Sequence, residues 1–153
     1  MKLYLMQHGK PVSKDENPER PISDQGSDDI RKVSSFIKKS DLTIEEVWHS
    51  GKTRARQTAE IFISELGLKY DPVERNGLSP LDDVDYILSH INTQEKDLMI
   101  VGHLPHLGKL VSMLILDSDS TPIVSFQQGC IVCLSRNEEM KWTIMWMVTP
   151  DIM

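Results

Sequence analysis

The sequence contains no run of about 18 apolar residues, so no segment is expected to span a membrane. Its opening apolar stretch, Met1 to Met6, gives way at once to Gln7-His8-Gly9-Lys10. That is too short for a signal-peptide core, and the expected location is the cytoplasm. Positive charge is scarce: 17 Lys and Arg stand against 23 Asp and Glu, for a net charge of −6. A broad basic surface is therefore missing, which argues against nucleic acid or an anionic membrane as the main partner. A small local cationic pocket remains possible. Only two cysteines occur, Cys130 and Cys133, at the C-x-x-C spacing of redox and metal pairs. They fall in Cys130-Ile131-Val132-Cys133-Leu134, which reads as a strand, where residues three apart point to opposite faces. Both are read as reduced apolar residues. No internal repeat, low-complexity tract or linker interrupts the 153 residues, so residues 1–153 are expected to form one domain.

What is present alternates between strand and helix. Lys2–Met6 is a short strand, followed by a polar loop through Pro11, Pro18 and Pro21. Ser23 suits a helix cap, and Ile30, Val33 and Ile37 mark one helical face. Val47-Trp48 predicts a second strand ending near Ser50. A helix over Thr53–Leu66 follows, buried along Ala55, Ala59, Phe62 and Leu66 and ended by Gly67. Lys69 to Asp85 is weakly patterned and reads mostly as loop, then a short helix through Tyr86, Ile87 and Ile91. Leu98–Gly102 is the clearest buried strand, and Leu107, Leu110, Val111 and Leu114 repeat after it at helical spacing, with Pro105 suited to the first turn. Ile131–Ser135 and Trp142–Val148 close the chain as strands, joined by a turn at Arg136-Asn137-Glu138-Glu139. The alternation predicts an α/β fold: one three-layer domain, a mostly parallel central sheet with helices on both faces.

In such sheets ligands collect at the carboxyl ends of the strands, and three polar signals lie there. His8 leaves the first strand just before Gly9, which lets the backbone approach a ligand closely. A neutral imidazole, of ordinary pKa about 6.5, is a competent nucleophile toward phosphorus, although a histidine bonded to a neighbouring loop would look the same. The second signal is Ser50-Gly51-Lys52-Thr53-Arg54-Ala55-Arg56-Gln57-Thr58. Three cations crowd the positive end of a helix, which is unfavourable unless an anion compensates them. A phosphate held by backbone N–H groups and a forked guanidinium would do so, with Arg54 pointing inward and Lys52 and Arg56 outward. The third is Gly102-His103-Leu104-Pro105-His106, where His103 leaves the most buried strand. His103 and His106 form an H-x-x-H, but helical ligand pairs usually stand four apart and no acid joins them, so no metal is expected. His49 and His90 read as packing or surface histidines.

Four segments in this order resemble the histidine phosphatase superfamily, and within it the small bacterial phosphohistidine phosphatases. Leu5-Met6-Gln7-His8-Gly9 is similar to the family's opening R-H-G motif, and Arg20-Pro21-Ile22-Ser23-Asp24-Gln25-Gly26 to R-P-L-T-x-x-G. Ser50 to Thr58 resembles S-P-x-x-R-A-x-Q-T, and Gly102-His103-Leu104-Pro105 the second-histidine motif. The resemblance implies a phosphoglycerate mutase-like fold and a phosphatase without metal or cofactor. His8 would accept the phosphoryl group, Arg54 and His103 would clamp its oxygens, and Gln7, Gly9 and Arg20 would complete the binding site. The implied partner is a phosphorylated protein, a phosphotransfer domain or phosphocarrier, or a small phosphorylated molecule.

The chain departs from the family at Gln7, where the motif carries arginine. An amide still donates, but a unit of charge is gone, and losing one such donor costs about 10²–10³ in rate at comparable oxyanion sites. Lys10 or Arg20 is a candidate substitute. Gly51 replaces a proline, with little effect expected. No acid occupies Arg75 to Pro80, where many relatives carry a glutamate, although Glu74 precedes and Asp82 and Asp83 follow. A weak proton donor matters less for phosphohistidine than for an alkoxide leaving group. With about fifty residues between Arg54 and His103, little remains for a lid, which favours a phosphorylated side chain on another protein. The alternatives are a broad phosphomonoesterase and a binding module weakened by Gln7.

Overall fold

The computed structural model describes residues 1–153. Six strands form one sheet: β1 (Lys2–Gln7), β2 (Glu46–His49), β3 (Val73–Glu74), β4 (Leu98–Gly102), β5 (Ile131–Arg136) and β6 (Trp142–Val148). Their order is β3-β2-β4-β1-β5-β6. The first four are parallel, while β5 and β6 run antiparallel to their neighbours. The helices are α1 (Asp24–Ile37), α2 (Thr53–Leu66), α3 (Val84–Asn92) and α4 (His106–Leu116), with a closing 3₁₀ turn at Pro150–Ile152. No helix is long and apolar enough to cross a membrane.

The central strands β1 and β4 are buried on both faces because Leu3–Met6 and Leu98–Val101 are apolar at every residue rather than at alternate ones. Leu3 and Leu5 of β1, with Leu98 and Ile100 of β4, join the cores of α3 and α4. Tyr4, Met6, Met99 and Val101 point the other way, onto α1 and α2. Cys130 lies in the first cluster and Cys133 in the second, both reduced, as the alternation along a strand requires. Helix α1 starts where Ser23 Oγ accepts the Gly26 N–H, and α2 ends at Gly67 in the left-handed region (φ 73°).

Lys69 to Asp85 is mostly loop, as expected, but Val73 and Glu74 add a two-residue parallel edge strand beside β2. Both residues are exposed, so no burial pattern marks them. Arg136 belongs to β5, not to a turn, and is buried. Its guanidinium donates to the carbonyls of Ile91, Asn92 and Gln94 at 3.2, 3.4 and 2.8 Å. These lie at the carboxyl end of α3, where helical carbonyls lack partners.

Candidate active site

Strand register assembles the site. Gln7 pairs with Gly102 across β1 and β4, so the next residues, His8 and His103, leave the sheet side by side. Their ring centroids are 5.0 Å apart. On the other flank His49 of β2 pairs with Val101, which brings Ser50 beside the same exit. The three segments found in the sequence therefore converge at one point on the carboxyl edge.

His8 is 7% exposed, and its Nδ1 lies 2.8 Å from the Gly9 carbonyl oxygen. A ring nitrogen facing a carbonyl is the one that carries hydrogen, so in the neutral ring Nε2 holds the free lone pair. Burial pushes the imidazole down to about 4; the Gly9 bond opposes this, while Arg54 and Arg20 add to it. At neutral pH the ring is uncharged, with the Nε2 lone pair free. The backbone around it is fixed: His8 N–H donates to the Gly102 carbonyl at 3.1 Å, and Gly9 N–H to Thr58 Oγ1 at 2.9 Å. Thr58 in turn donates to the Arg54 carbonyl at 2.7 Å. A Cβ on Gly9 would come within 3.1 Å of the Gly26 carbonyl oxygen and Ile30 Cγ1. One on Gly26 would stand 2.3 Å from the Lys10 carbonyl oxygen, so these two glycines let α1 lie directly against the loop after His8.

Helix α2 opens without a side-chain cap and without an acid in its first turn. Arg56 pairs with Glu60 at 3.1 Å on the outer face, and Lys52 is exposed, as expected. Arg54 is half-buried, forms no ion pair, and has its Nε shut from solvent without a partner. Burial, then the charge of Arg20, lowers its pKa. An anion would relieve both. His103 is 1% exposed and is held down to about 3 by burial, then by His8, Arg54, Lys52 and His106. Its Nε2 meets Ser50 Oγ at 2.6 Å, and its Nδ1 has no partner.

Of the two candidate replacements for the motif arginine, Arg20 is the one whose charge bears on His8 and Arg54. Its backbone sits in the left-handed region (φ 50°), a conformation that a long side chain rarely adopts. Lys10 is exposed and lines a separate groove with Val12, Glu16 and Ile22. Gln7 is buried, and its Oε1 finds no hydrogen bond. Gly51 has φ 85°, a conformation closed to proline, so the turn before α2 is built differently from the motif. Its N–H donates to His49 Nδ1 at 3.0 Å, giving that buried histidine a local structural bond. His90 is exposed and bonds the Tyr86 carbonyl. His106 is fully buried with neither ring nitrogen completing a hydrogen bond, although the Gly77 backbone lies close by. No three His, Cys, Asp or Glu side chains converge as metal ligands.

Sequence reasoning assigned no role to Thr58, Gln57 or Ser50. Thr58 ties the loop after His8 to α2, and Gln57 Oε1 accepts the Ile22 N–H at 2.8 Å, tying α2 to the Arg20 loop. Their place in a matching motif was the available signal. Beside Ser50, a polar bay of about 480 Å³ is lined by Arg75, Asn76, Ser79, Asp82 and Asp83. Asp82 accepts the Ser79 N–H and Asp83 caps α3.

Two buried imidazoles and two arginines without acidic partners stand where a tetrahedral oxyanion would find compensating donors and charge, with the His8 Nε2 lone pair free. A model of the histidine phosphatase superfamily (branch 1) matches residues 3–79. The chain belongs to that superfamily. Phosphohistidine phosphatase SixA of Escherichia coli is 26% identical over 155 residues, covering 98% of this chain and 94% of SixA. An uncharacterised protein of Picosynechococcus is 32% identical over 117 residues, covering 71% of this chain and 70% of that protein. The solved structure of SixA complexed with tungstate superposes at a TM-score of 0.89, with 24% identity and 99% of both chains covered. The fold of this histidine phosphatase is thus that of SixA throughout.

Proposed function

We propose that the protein hydrolyses phosphohistidine on a partner protein, with His8 as phosphoryl acceptor. The observation that supports this most is the His8 ring itself: Nδ1 engaged by Gly9, Nε2 free, and the whole imidazole held uncharged beside Arg54 and His103. Nε2 attacks phosphorus, a new P–N bond forms, and the P–N bond to the substrate imidazole breaks with its electron pair leaving on that ring. Water then attacks the phosphoryl group on His8, releasing inorganic phosphate and restoring the lone pair. Arg54 and Arg20 neutralise the equatorial oxygens and the neutral His103 ring donates an N–H to them, so no metal is required. Gln7 and the Gly9 backbone complete the lining. Asp82 and Asp83 are already engaged as local caps, which suits a leaving group that needs little acid help.

Likeness to SixA along the whole chain favours a protein substrate. So does the economy of the segment between Arg54 and His103, where only residues 75–83 are free of strand and helix next to the site. The deciding experiment is phosphate release from a phosphohistidine protein and from sugar phosphates, with and without chelator. Release from the protein substrate is expected to be faster, unaffected by chelator, and lost in His8→Ala. Faster release from sugar phosphates supports the phosphomonoesterase; a native rate equal to the His8→Ala background supports the binding module. Undiminished release by His8→Ala overturns the assignment.

A further inference from the structure

Ser50 makes the only hydrogen bond to the His103 ring, at 2.6 Å from Nε2. Histidines at reacting centres are usually oriented by a carboxylate or a backbone carbonyl, which selects the ring tautomer. His103 has neither. Its Nδ1 is sealed from solvent without a partner. A buried N–H without an acceptor is costlier and rarer than a buried lone pair without a donor. The economical neutral ring therefore keeps its hydrogen on Nε2 and donates it to Ser50 Oγ. The serine oxygen is also approached by the Lys52 N–H at 3.4 Å, so it stands among donors, as an acceptor should. Ser50 is itself well placed for this: the pairing of His49 with Val101 sets it beside the β4 exit, and the bond from Gly51 N–H to His49 Nδ1 closes the turn behind it.

We propose that Ser50 is a positioning residue that holds His103 as the Nε2–H tautomer with that hydrogen directed to the site. An arriving phosphoryl oxygen then meets a donor already in place, and Nε2–H passes from Ser50 Oγ to it without a ring flip. In the other tautomer Nε2 would present a lone pair to an anion, and the donor would be sealed on the far side. The proposal rests on the reading of His103 as a phosphoryl-binding group. It concerns how that group is prepared rather than whether it binds.

The test uses the full ¹⁵N-labelled chain, with ring nitrogens of its five histidines read by long-range ¹H–¹⁵N spectra and His103 assigned by its absence in His103→Asn. Native protein and Ser50→Thr are expected to show His103 as Nε2–H at pH 7.5, and Ser50→Ala a mixture of tautomers. Steady-state turnover of a phosphohistidine protein by Ser50→Ala should fall by about ten- to a hundredfold in kcat, with KM changed far less and Ser50→Thr recovering most of the rate. An unchanged His103 tautomer in Ser50→Ala overturns the proposal, whatever the rate does. So does a shifted tautomer with an unchanged rate. The ring spectra need no turnover, so a native protein that releases no phosphate refutes the functional reading, while the tautomer still decides the role of Ser50.

Discussion

The His8 and His103 rings stand 5.0 Å apart, tilted by 50°, and no carboxylate bonds to either. Both are therefore neutral in the folded protein at pH values where the unfolded chain already binds protons. Their folded pKa values, about 4 and about 3, lie below the ordinary 6.5. The unfolded state binds more protons in that window, so stability is full above pH 6.5 and declines as pH falls toward 4 and 3. At pH 5 the loss is about 2 kcal/mol for each ring. Urea unfolding at pH 7 and pH 5 should show a drop in the native protein that shrinks in the His8→Gln, His103→Gln double variant. Equal drops in both would place the acid sensitivity elsewhere.

Arg20, rather than Lys10, carries the charge that bears on His8. Tungstate affinity should fall at least about tenfold in Arg20→Ala, a loss of about 1.4 kcal/mol, and change little in Lys10→Ala. Gln7→Arg adds a fork and a charge to a site short of one, and turnover of a phosphohistidine substrate should rise. Equal effects of Arg20→Ala and Lys10→Ala, measured by calorimetric titration, would refute the assignment of the compensating cation.

Restoring the motif proline at residue 51 should harm the protein. Gly51 has φ 85° and donates to His49 Nδ1; proline supplies neither the conformation nor the N–H. Gly51→Ala should cost about 1–2 kcal/mol from the left-handed backbone alone, and Gly51→Pro more. Thermal unfolding of the two variants reads the order directly; a proline variant as stable as the native protein would show that the turn rebuilds itself.

Arg136 lies at the opposite end of the sheet from His8, since β5 runs antiparallel to β1 and Ser135 pairs with Lys2. Arg136→Met leaves three carbonyls at the end of α3 without their donor, at a cost of about 2–4 kcal/mol. Unfolding midpoints should drop, with kcat at 25 °C unchanged. A change in kcat with stability intact would contradict a purely structural role.

Helix and strand limits that depend on apolar period and local caps were legible in the sequence: Ser23 before α1, Gly67 after α2, and β6 over Trp142–Val148 all stand where expected. His8 and His103 were legible because strand ends carry ligands, but their adjacency depends on the pairing of Gln7 with Gly102, a register no local pattern encodes. The Ser50 contact follows from a second register, between β2 and β4, and was invisible for the same reason. Arg136 misled because its acceptors are carbonyls more than forty residues earlier in the chain. The edge strand β3 has no buried residue to betray it.

The contact between Gly9 and Gly26 bears on which phosphoryl groups can be served. With α1 pressed against the loop after His8 and the His8 N–H held by Gly102, the backbone that carries the imidazole has little room to shift. In the proposed transfer, most of the travel then comes from the other molecule. A phosphorylated side chain at the tip of a loop or on the ridge of a helix can cross that distance; one set in a recess of its own protein cannot. For the proposed protein substrate, the geometry of the donor, more than the chemistry of the bond, would then sort one phosphoprotein from another.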